Sequence, residues 1–179
     1  MWRWLALGAY AALLYGLLPY GPAIARAVQG TSLGRFSLGS GAVWVVGAGV
    51  IAVGMRLRQR AAPRGAYLLA VVAVLGYATA LVWLRAIRLE RVHLPEYGIA
   101  AWLAWRALIV PMGDRSPTYV AAAVLAALIG WGDELVQGVT PGRVYDLRDV
   151  AANTVGAGLG ALLLAVWHAG RAPNERPTR

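Results

Sequence analysis

The chain of 179 residues has no cysteine and no lysine, and only eight of its residues are acidic. Without cysteine, disulfides, thiol catalysis and thiolate metal sites are excluded. Charged residues make up 14% of the chain, which is too little to cover the surface of a soluble domain of this size. The composition therefore predicts a protein that lies in a membrane.

Apolar residues are correspondingly abundant: 59% of the chain is hydrophobic and the mean hydropathy is +0.57. A helix needs about 20 apolar residues to cross the hydrocarbon core, and the 22 glycines allow close helix packing there. We expect an all-α, polytopic transmembrane helix bundle of about six spans. The predicted spans are 4–28, 38–55, 66–84, 92–110, 118–139 and 149–168. The first also resembles a signal peptide, but its length favours a retained anchor.

All 17 basic residues are arginine and give a net charge of +9. They lie at the ends of apolar segments, which indicates contact with lipid headgroups, so we expect no nucleic-acid partner. Four of them (Arg56, Arg58, Arg60 and Arg64) fall in one short loop. By the positive-inside rule this loop is expected to be cytoplasmic, with both termini on the same side.

Six of the eight acids fall in two stretches, residues 90–97 and 133–153. In a six-span topology both stretches lie at the outer face, so they can meet in space. Within each stretch the polar residues recur at helical spacing, as in Glu90, His93 and Tyr97. Carboxylates at membrane depth are costly, which favours a functional role. The alternative is a polar network that only ties helices together through Arg143 and Arg148.

Gly156 and Gly160 form a GxxxG pair that follows Asn153. No strand is predicted before it and no lysine follows, so we interpret the pair as a helix-packing face rather than a phosphate loop. Such packing would place Asn153 in the interior.

These residues resemble the VanZ-like membrane family. The resemblance is carried by DE-x-x-Q at 133–137, PGR at 141–143, D-x-x-D at 146–149 and N-x-x-G-x-x-x-G at 153–160. The upstream Glu90-x-x-His93-x-x-Glu96-Tyr97-Gly98 is similar to one subgroup of that family. The resemblance covers residues 86–168 and implies a helical protein of the bacterial plasma (inner) membrane. The family takes its name from glycopeptide-antibiotic resistance.

We accordingly divide the chain into three parts. Residues 1–85 are predicted to form three N-terminal transmembrane helices, and 86–170 the VanZ-like core with the polar site. Residues 171–179, which are polar and contain proline, are predicted to form a disordered tail.

The carboxylates favour an intramembrane glycosidase that removes a sugar from a glycolipid or lipid-linked saccharide, because glycoside cleavage needs two carboxyl groups. Glu96 and Glu134 are the predicted acid/base and nucleophile or water activator, in either order, with Asp133 and Asp149 tuning them or binding sugar hydroxyls. Burial beside like charge is the usual way to keep one acid protonated. The predicted substrate-binding residues are His93, Tyr97, Gln137, Arg143, Asp146, Asn153 and Trp131. No metal site, cofactor or obligate protein partner is predicted.

Two alternatives stay open. Clustered Asp, Glu and His side chains can hold Mg²⁺ or Mn²⁺, which would suit a metal-dependent phosphoester hydrolase acting on a polyprenyl carrier. A non-catalytic protein that binds and shields lipid-linked envelope precursors or glycopeptide antibiotics would use the same residues for recognition. A Ser-His-Asp triad is not expected, because Ser37 and Ser116 lie far from both stretches.

Overall fold

The computed structural model of the chain describes residues 1–29, 31, 42–84 and 92–169, and within these ranges every regular element is a helix. The helices are α1 Trp2–Leu17, α2 Gly21–Gln29, α3 Ala42–Gln59, α4 Arg64–Trp83, α5 His93–Met112, α6 Ser116–Val139 and α7 Leu147–His168. A single 3₁₀ turn, Leu18–Tyr20, joins α1 to α2. The predicted all-α fold is confirmed. Glu90, the start of the second predicted span and the predicted tail 171–179 lie outside the described residues.

Four helical segments of the described chain are long and apolar enough to cross a membrane: Trp2–Ile24, Arg64–Trp83, Ser116–Val139 and Leu147–His168. They agree with the first, third, fifth and sixth predicted spans, so the chain is a polytopic membrane protein. Helices α3 and α5 coincide with the other two predicted spans but fall outside this set. Helix α5 contains His93, Glu96 and Arg106, which lower its hydropathy.

Local signals in the sequence explain where the central helices begin and end. Helix α5 ends at Gly113, whose φ of +74° is readily adopted only by glycine. Helix α6 starts with Pro117 in its first turn, where a missing N–H costs nothing. Helix α7 is capped by Asp146, whose side chain accepts a hydrogen bond of 2.8 Å from the Arg148 N–H.

Helices α5, α6 and α7 pack against one another and form the centre of the bundle. Helix α1 packs on α5 and α6, while α4 packs on α7 and α3 packs on α4 and α7. The contacts between the central helices are made largely by small residues, among them Ala100, Ala101, Ala126 and Ala157, all fully buried. Small side chains let helix backbones approach closely where lipid provides no hydrophobic driving force.

The closest approach lies between α5 and α7. A Cβ atom added at Gly160 would lie 2.5 Å from the Cα of Gly98, and one added at Gly156 would lie 2.9 Å from the backbone oxygen of His93. The predicted packing role of this GxxxG pair is therefore confirmed. The pair holds the first turns of α5 against α7, which fixes the distance between the polar residues that the two helices carry.

Candidate functional site

The two polar stretches meet at one end of the bundle, where α5 begins, α6 ends and α7 begins. We call this the polar end. His93 of α5 lies 3.9 Å (Nε2 to Oδ2) from Asp149 of α7. The sequence prediction that the stretches converge is therefore confirmed for the described residues. The chain achieves this because α6 runs antiparallel to both α5 and α7, so the acids at its C-terminal end face their N-terminal turns.

Gln137 is the centre of the network contributed by α6. Its side-chain N–H₂ group donates to Glu134 (2.6 Å) and to Asp133 (3.3 Å). Its side-chain oxygen accepts from two nitrogens of Arg143, one of them Nε at 3.1 Å and the other Nη2. The amide therefore connects the guanidinium to both carboxylates. Its orientation is fixed, because only the carbonyl end can accept from arginine.

Glu134 is the most enclosed acid of the site, with no exposed surface. Besides the bond from Gln137, its second oxygen accepts a hydrogen bond of 3.2 Å from the backbone N–H of Asp146. Both oxygens of this carboxylate are thus held by donors. Such a group is well suited to fix the start of α7 against the end of α6, because each of its oxygens already accepts a hydrogen bond from a neighbouring segment.

His93, Glu96 and Asp149 form the accessible side of the site. The imidazole lies between two carboxylates, with Nδ1 3.6 Å from Glu96 and Nε2 3.9 Å from Asp149. The side chain of Glu96 is 33% exposed and that of Asp149 is 14% exposed. These two acids therefore combine proximity to an imidazole with access from outside, which Glu134 lacks.

Several buried polar atoms at the polar end have hydrogen-bonding capacity that the described residues leave unused. They are His93 Nδ1, the Tyr97 hydroxyl, Asp133 Oδ1, Asp149 Oδ1 and Asn153 Oδ1. The Tyr97 hydroxyl lies beside Asp133 but outside good hydrogen-bond geometry. Native proteins satisfy most buried polar atoms, so a group of unsatisfied ones calls for bound water, an ion or a ligand that supplies the missing partners.

The buried carboxylates of the site also lack direct ion pairs, which adds to the free-energy cost of burying them. Within the described part of the chain, neither Asp133, Glu134 nor Asp149 is within 4 Å of an arginine nitrogen. Arg143 attracts all three through space, but its hydrogen bonds in the site go to Gln137. Asp133 is 4% exposed, and burial of a carboxylate without an ionic partner costs several kcal/mol in general. Acids buried at membrane depth without a direct ion pair support a functional role.

Asn153 and Tyr97 form the inner wall of the site. Asn153 is fully buried, as predicted, and its amide donates to the backbone oxygen of Gly130 at 3.0 Å. A Cβ atom at Gly130 would lie 2.6 Å from Asn153 and 2.9 Å from Tyr97. Glycine at this position of α6 is therefore required for the two side chains to reach the site.

The remaining predicted site residues lie at its edge. Asp146 uses one carboxylate oxygen to cap α7 and its N–H to bind Glu134. Trp131 is 47% exposed on the outside of α6. Substrate binding by either residue stays a prediction. Within the described ranges, no group of three or more His, Asp and Glu side chains is arranged to hold a metal ion.

Sequence reasoning missed two tyrosines of α1. The Tyr15 hydroxyl donates to the backbone oxygen of Ile129 at 2.7 Å, and the Tyr10 hydroxyl donates to that of Glu96 at 3.0 Å. Both bonds fasten α1 over the site-bearing segments of α5 and α6. No motif marks these tyrosines, because each binds a main-chain oxygen that any residue provides.

The fold and the site define a class: a polytopic helical membrane protein with a buried acidic site at one end of its bundle. Comparison with known families narrows this. The sequence model of the VanZ/LLP1 family matches residues 64–168, so the chain belongs to this family. The matched segment comprises α4 to α7 and contains every residue of the site described above except the two tyrosines of α1. Searches of curated proteins and of solved structures found no match.

Proposed function

We propose that the protein is a membrane-embedded hydrolase that removes a sugar from a glycolipid or lipid-linked saccharide at the polar end of the bundle. The observation that carries the proposal is the group of buried, unsatisfied polar atoms of His93, Tyr97, Asp133, Asp149 and Asn153. Hydroxyl-rich ligands both donate and accept hydrogen bonds, so a sugar can satisfy carboxylate, amide and phenol groups together.

The carboxylates supply the chemistry. Glycoside hydrolysis uses two carboxyl groups, about 5 Å apart in retaining enzymes and about 6.5–9.5 Å apart in inverting ones. Glu96 and Asp149 are the pair that the geometry favours for direct contact, because both are partly exposed and His93 lies between them. One carboxyl donates a proton to the glycosidic oxygen as the C–O bond breaks. The other accepts a proton from the water whose oxygen forms the new bond to carbon.

Glu134 has a different part in this proposal. The prediction from sequence gave Glu134 a direct catalytic role with Glu96. The hydrogen bonds to both of its oxygens favour a positioning role instead, with Gln137 and Arg143 holding the end of α6. Asp133 has one oxygen, Oδ1, without a hydrogen-bond partner among the described residues. We propose that it binds a sugar hydroxyl or acts on Glu96 through the repulsion between the two carboxylates.

The proposed setting is the plasma membrane of a bacterium, with the site at the outer face and both termini in the cytoplasm. Support comes from four arginines at the end of α3, the start of α4 and the turn between them (Arg56, Arg58, Arg60 and Arg64), which lie at the end of the bundle away from the site. Lipid-linked saccharides of the cell envelope would then reach the site from the outer leaflet.

A binding protein is the second candidate, and one observation favours it. The site is largely enclosed: Glu134, Gln137 and Asn153 have almost no exposed surface. A site that shields a lipid-linked precursor or a glycopeptide must hydrogen-bond its ligand away from solvent, and it needs no water molecule for hydrolysis. In that case the same residues bind the ligand without cleaving it.

The experiment incubates detergent-purified protein with a bacterial glycolipid extract and follows the lipids by mass spectrometry. The hydrolase predicts loss of a hexose or uronic acid from one lipid, and the Glu96→Gln and Asp149→Asn variants should slow this loss about 100-fold or more. The control is Glu175→Gln, which removes an acid outside both polar stretches.

The outcomes separate the candidates. Cleavage that persists in both Glu96→Gln and Asp149→Asn would refute the assignment of the reacting groups. Tight retention of one intact lipid, lost in the same variants but not in Glu175→Gln, would favour the binding protein. Cleavage lost in Glu134→Gln and unchanged in Asp149→Asn would restore the pair predicted from sequence.

A further inference from the structure

A second feature lies at the opposite end of the bundle, where α5 ends, α6 begins and α7 ends. Helices α4 and α6 both pack on α7 but make little contact with each other, and this leaves a groove with a cavity of about 600 Å³. It is lined by Leu69 of α4, by Val120 of α6 and, on α7, mainly by glycine and alanine, and Asp114, Arg115 and His168 lie at its rim. None of them belongs to the site at the polar end.

The inner part of the groove is apolar and faces the surroundings of the bundle. Val120 is 63% exposed and Leu69 is 45% exposed. The floor on α7 is formed by small residues, and nothing lies within 4 Å of the position that a Cβ of Gly158 would occupy. From His168 at the rim to Gly158 the groove runs about 15 Å along α7 at 1.5 Å per residue. This shape fits a hydrocarbon chain that lies parallel to the helices.

The rim of the groove carries two opposite charges next to each other in sequence. Arg115 is held by a bond of 2.6 Å from its Nε to the backbone oxygen of Met112. Its terminal nitrogens have no hydrogen-bond partner among the described residues and can bind a ligand. Asp114 accepts a bond of 2.5 Å from the Tyr119 hydroxyl at Oδ1. Because that hydroxyl also lies 3.0 Å from Nδ1 of His168, the carboxylate is anchored between α6 and α7.

We propose that this groove binds a membrane phospholipid whose headgroup carries both a phosphate and a primary ammonium group. Arg115 contacts the phosphate, because guanidinium groups bind phosphate through paired charge-assisted hydrogen bonds. Asp114 contacts the ammonium through its second oxygen, Oδ2. One acyl chain lies in the apolar part of the groove along Gly158. An anionic headgroup without an ammonium is disfavoured, because Asp114 repels it.

The test measures which phospholipids remain bound to the full chain. Detergent-purified protein is exchanged into an equimolar mixture of phosphatidylethanolamine and phosphatidylglycerol, repurified, and its bound lipid is quantified by mass spectrometry. Asp114→Asn removes the proposed ammonium contact, Arg115→Ala removes the phosphate contact, and Gly158→Leu fills the acyl part of the groove. Gly8→Leu is the matched control, because a Cβ there also meets nothing within 4 Å and Gly8 lies on α1, away from the groove.

Wild-type protein and Gly8→Leu should retain the ethanolamine lipid about threefold or more over the glycerol lipid, as expected for one ionic contact near a membrane surface. Asp114→Asn should abolish this preference, and Gly158→Leu and Arg115→Ala should lower retention of both lipids. Equal retention of the two lipids by the wild type would overturn the proposal. So would lipid retention by Gly158→Leu equal to that of Gly8→Leu. Lipid binding that appears only after removal of residues 170–179 would assign the groove to the C-terminal segment instead.

Discussion

Replacement of Gly160 by alanine tests whether the contact between α5 and α7 holds the site together. The added Cβ would lie 2.5 Å from the Cα of Gly98 and 3.1 Å from its backbone oxygen. Carbon atoms pack at about 3.5–4.0 Å, so the two helices must separate locally by about 1 Å. Both atoms that the methyl group meets belong to the backbone, so no side chain can rotate away. Overpacking of this kind costs about 1–3 kcal/mol in general.

The matched control is Gly158→Ala on the same helix, where nothing lies within 4 Å of the added Cβ. Alanine has the higher helix propensity, so this variant should be as stable as the wild type or slightly more stable. Thermal unfolding in detergent, followed by helical circular dichroism, should show Gly160→Ala lower by about 2–12 °C for a chain of this size. Equal unfolding temperatures for the two variants would refute the inference that the glycine pair sets the distance between α5 and α7.

Two further predictions follow from the hydrogen bonds of the polar end, and a third concerns the metal-dependent alternative. Arg143→Ala should remove the only cation that Gln137 contacts among the described residues. Loss of this charged hydrogen bond should lower activity or ligand binding by at least about tenfold, and Arg148→Ala is the control. Tyr15→Phe should lower the free energy of unfolding by about 0.5–1.5 kcal/mol, because it deletes only the bond to Ile129, and an unchanged stability would contradict that role. A chelator should leave sugar release unchanged; release of phosphate from a polyprenyl carrier that the chelator abolishes and that added Mg²⁺ or Mn²⁺ restores would favour the metal-dependent phosphoester hydrolase.

Much of the fold could be predicted from the sequence because the membrane restricts the choices. Apolar stretches of sufficient length must be helices, and their ends are marked by proline, glycine and arginine. The helices α4 to α7 accordingly begin and end within two residues of the predicted spans. The break at Leu18–Tyr20 was missed, because Pro19 was included in one continuous first span.

The sequence could predict which residues form the site, but not how their side chains contact one another. Acids are so rare in this chain that their positions alone identified the polar end. Which acid is exposed and which is enclosed depends on side-chain contacts that spacing cannot reveal. Asp133 and Glu134 are adjacent in sequence, yet only Glu134 has donors to both oxygens. The contributions of Tyr10 and Tyr15 depend on how α1 docks, and docking carries no local sequence signal.

The free-energy cost of burying the polar end can distinguish a functional site from a network that only joins helices. Asp133 is the residue for which the two hypotheses predict the most different results. It is 4% exposed, its Oδ1 is unsatisfied, and its only hydrogen bond in the described part of the chain is the one of 3.3 Å from Gln137. Sites kept for function are often destabilising, so their removal raises stability while activity falls.

Asp133→Asn keeps the shape of the side chain and removes the buried charge. If Asp133 is kept for function, this variant should be at least as stable as the wild type, and its free energy of unfolding should rise by up to about 1 kcal/mol. Sugar release or ligand binding should be lost. Asp146→Asn is the control, because asparagine caps a helix as well as aspartate and should change stability little. A loss of more than about 1 kcal/mol in Asp133→Asn alone would mean that the carboxylate is needed for folding. The polar end would then be a network that joins α5, α6 and α7, and the proposed hydrolase would lose its main support.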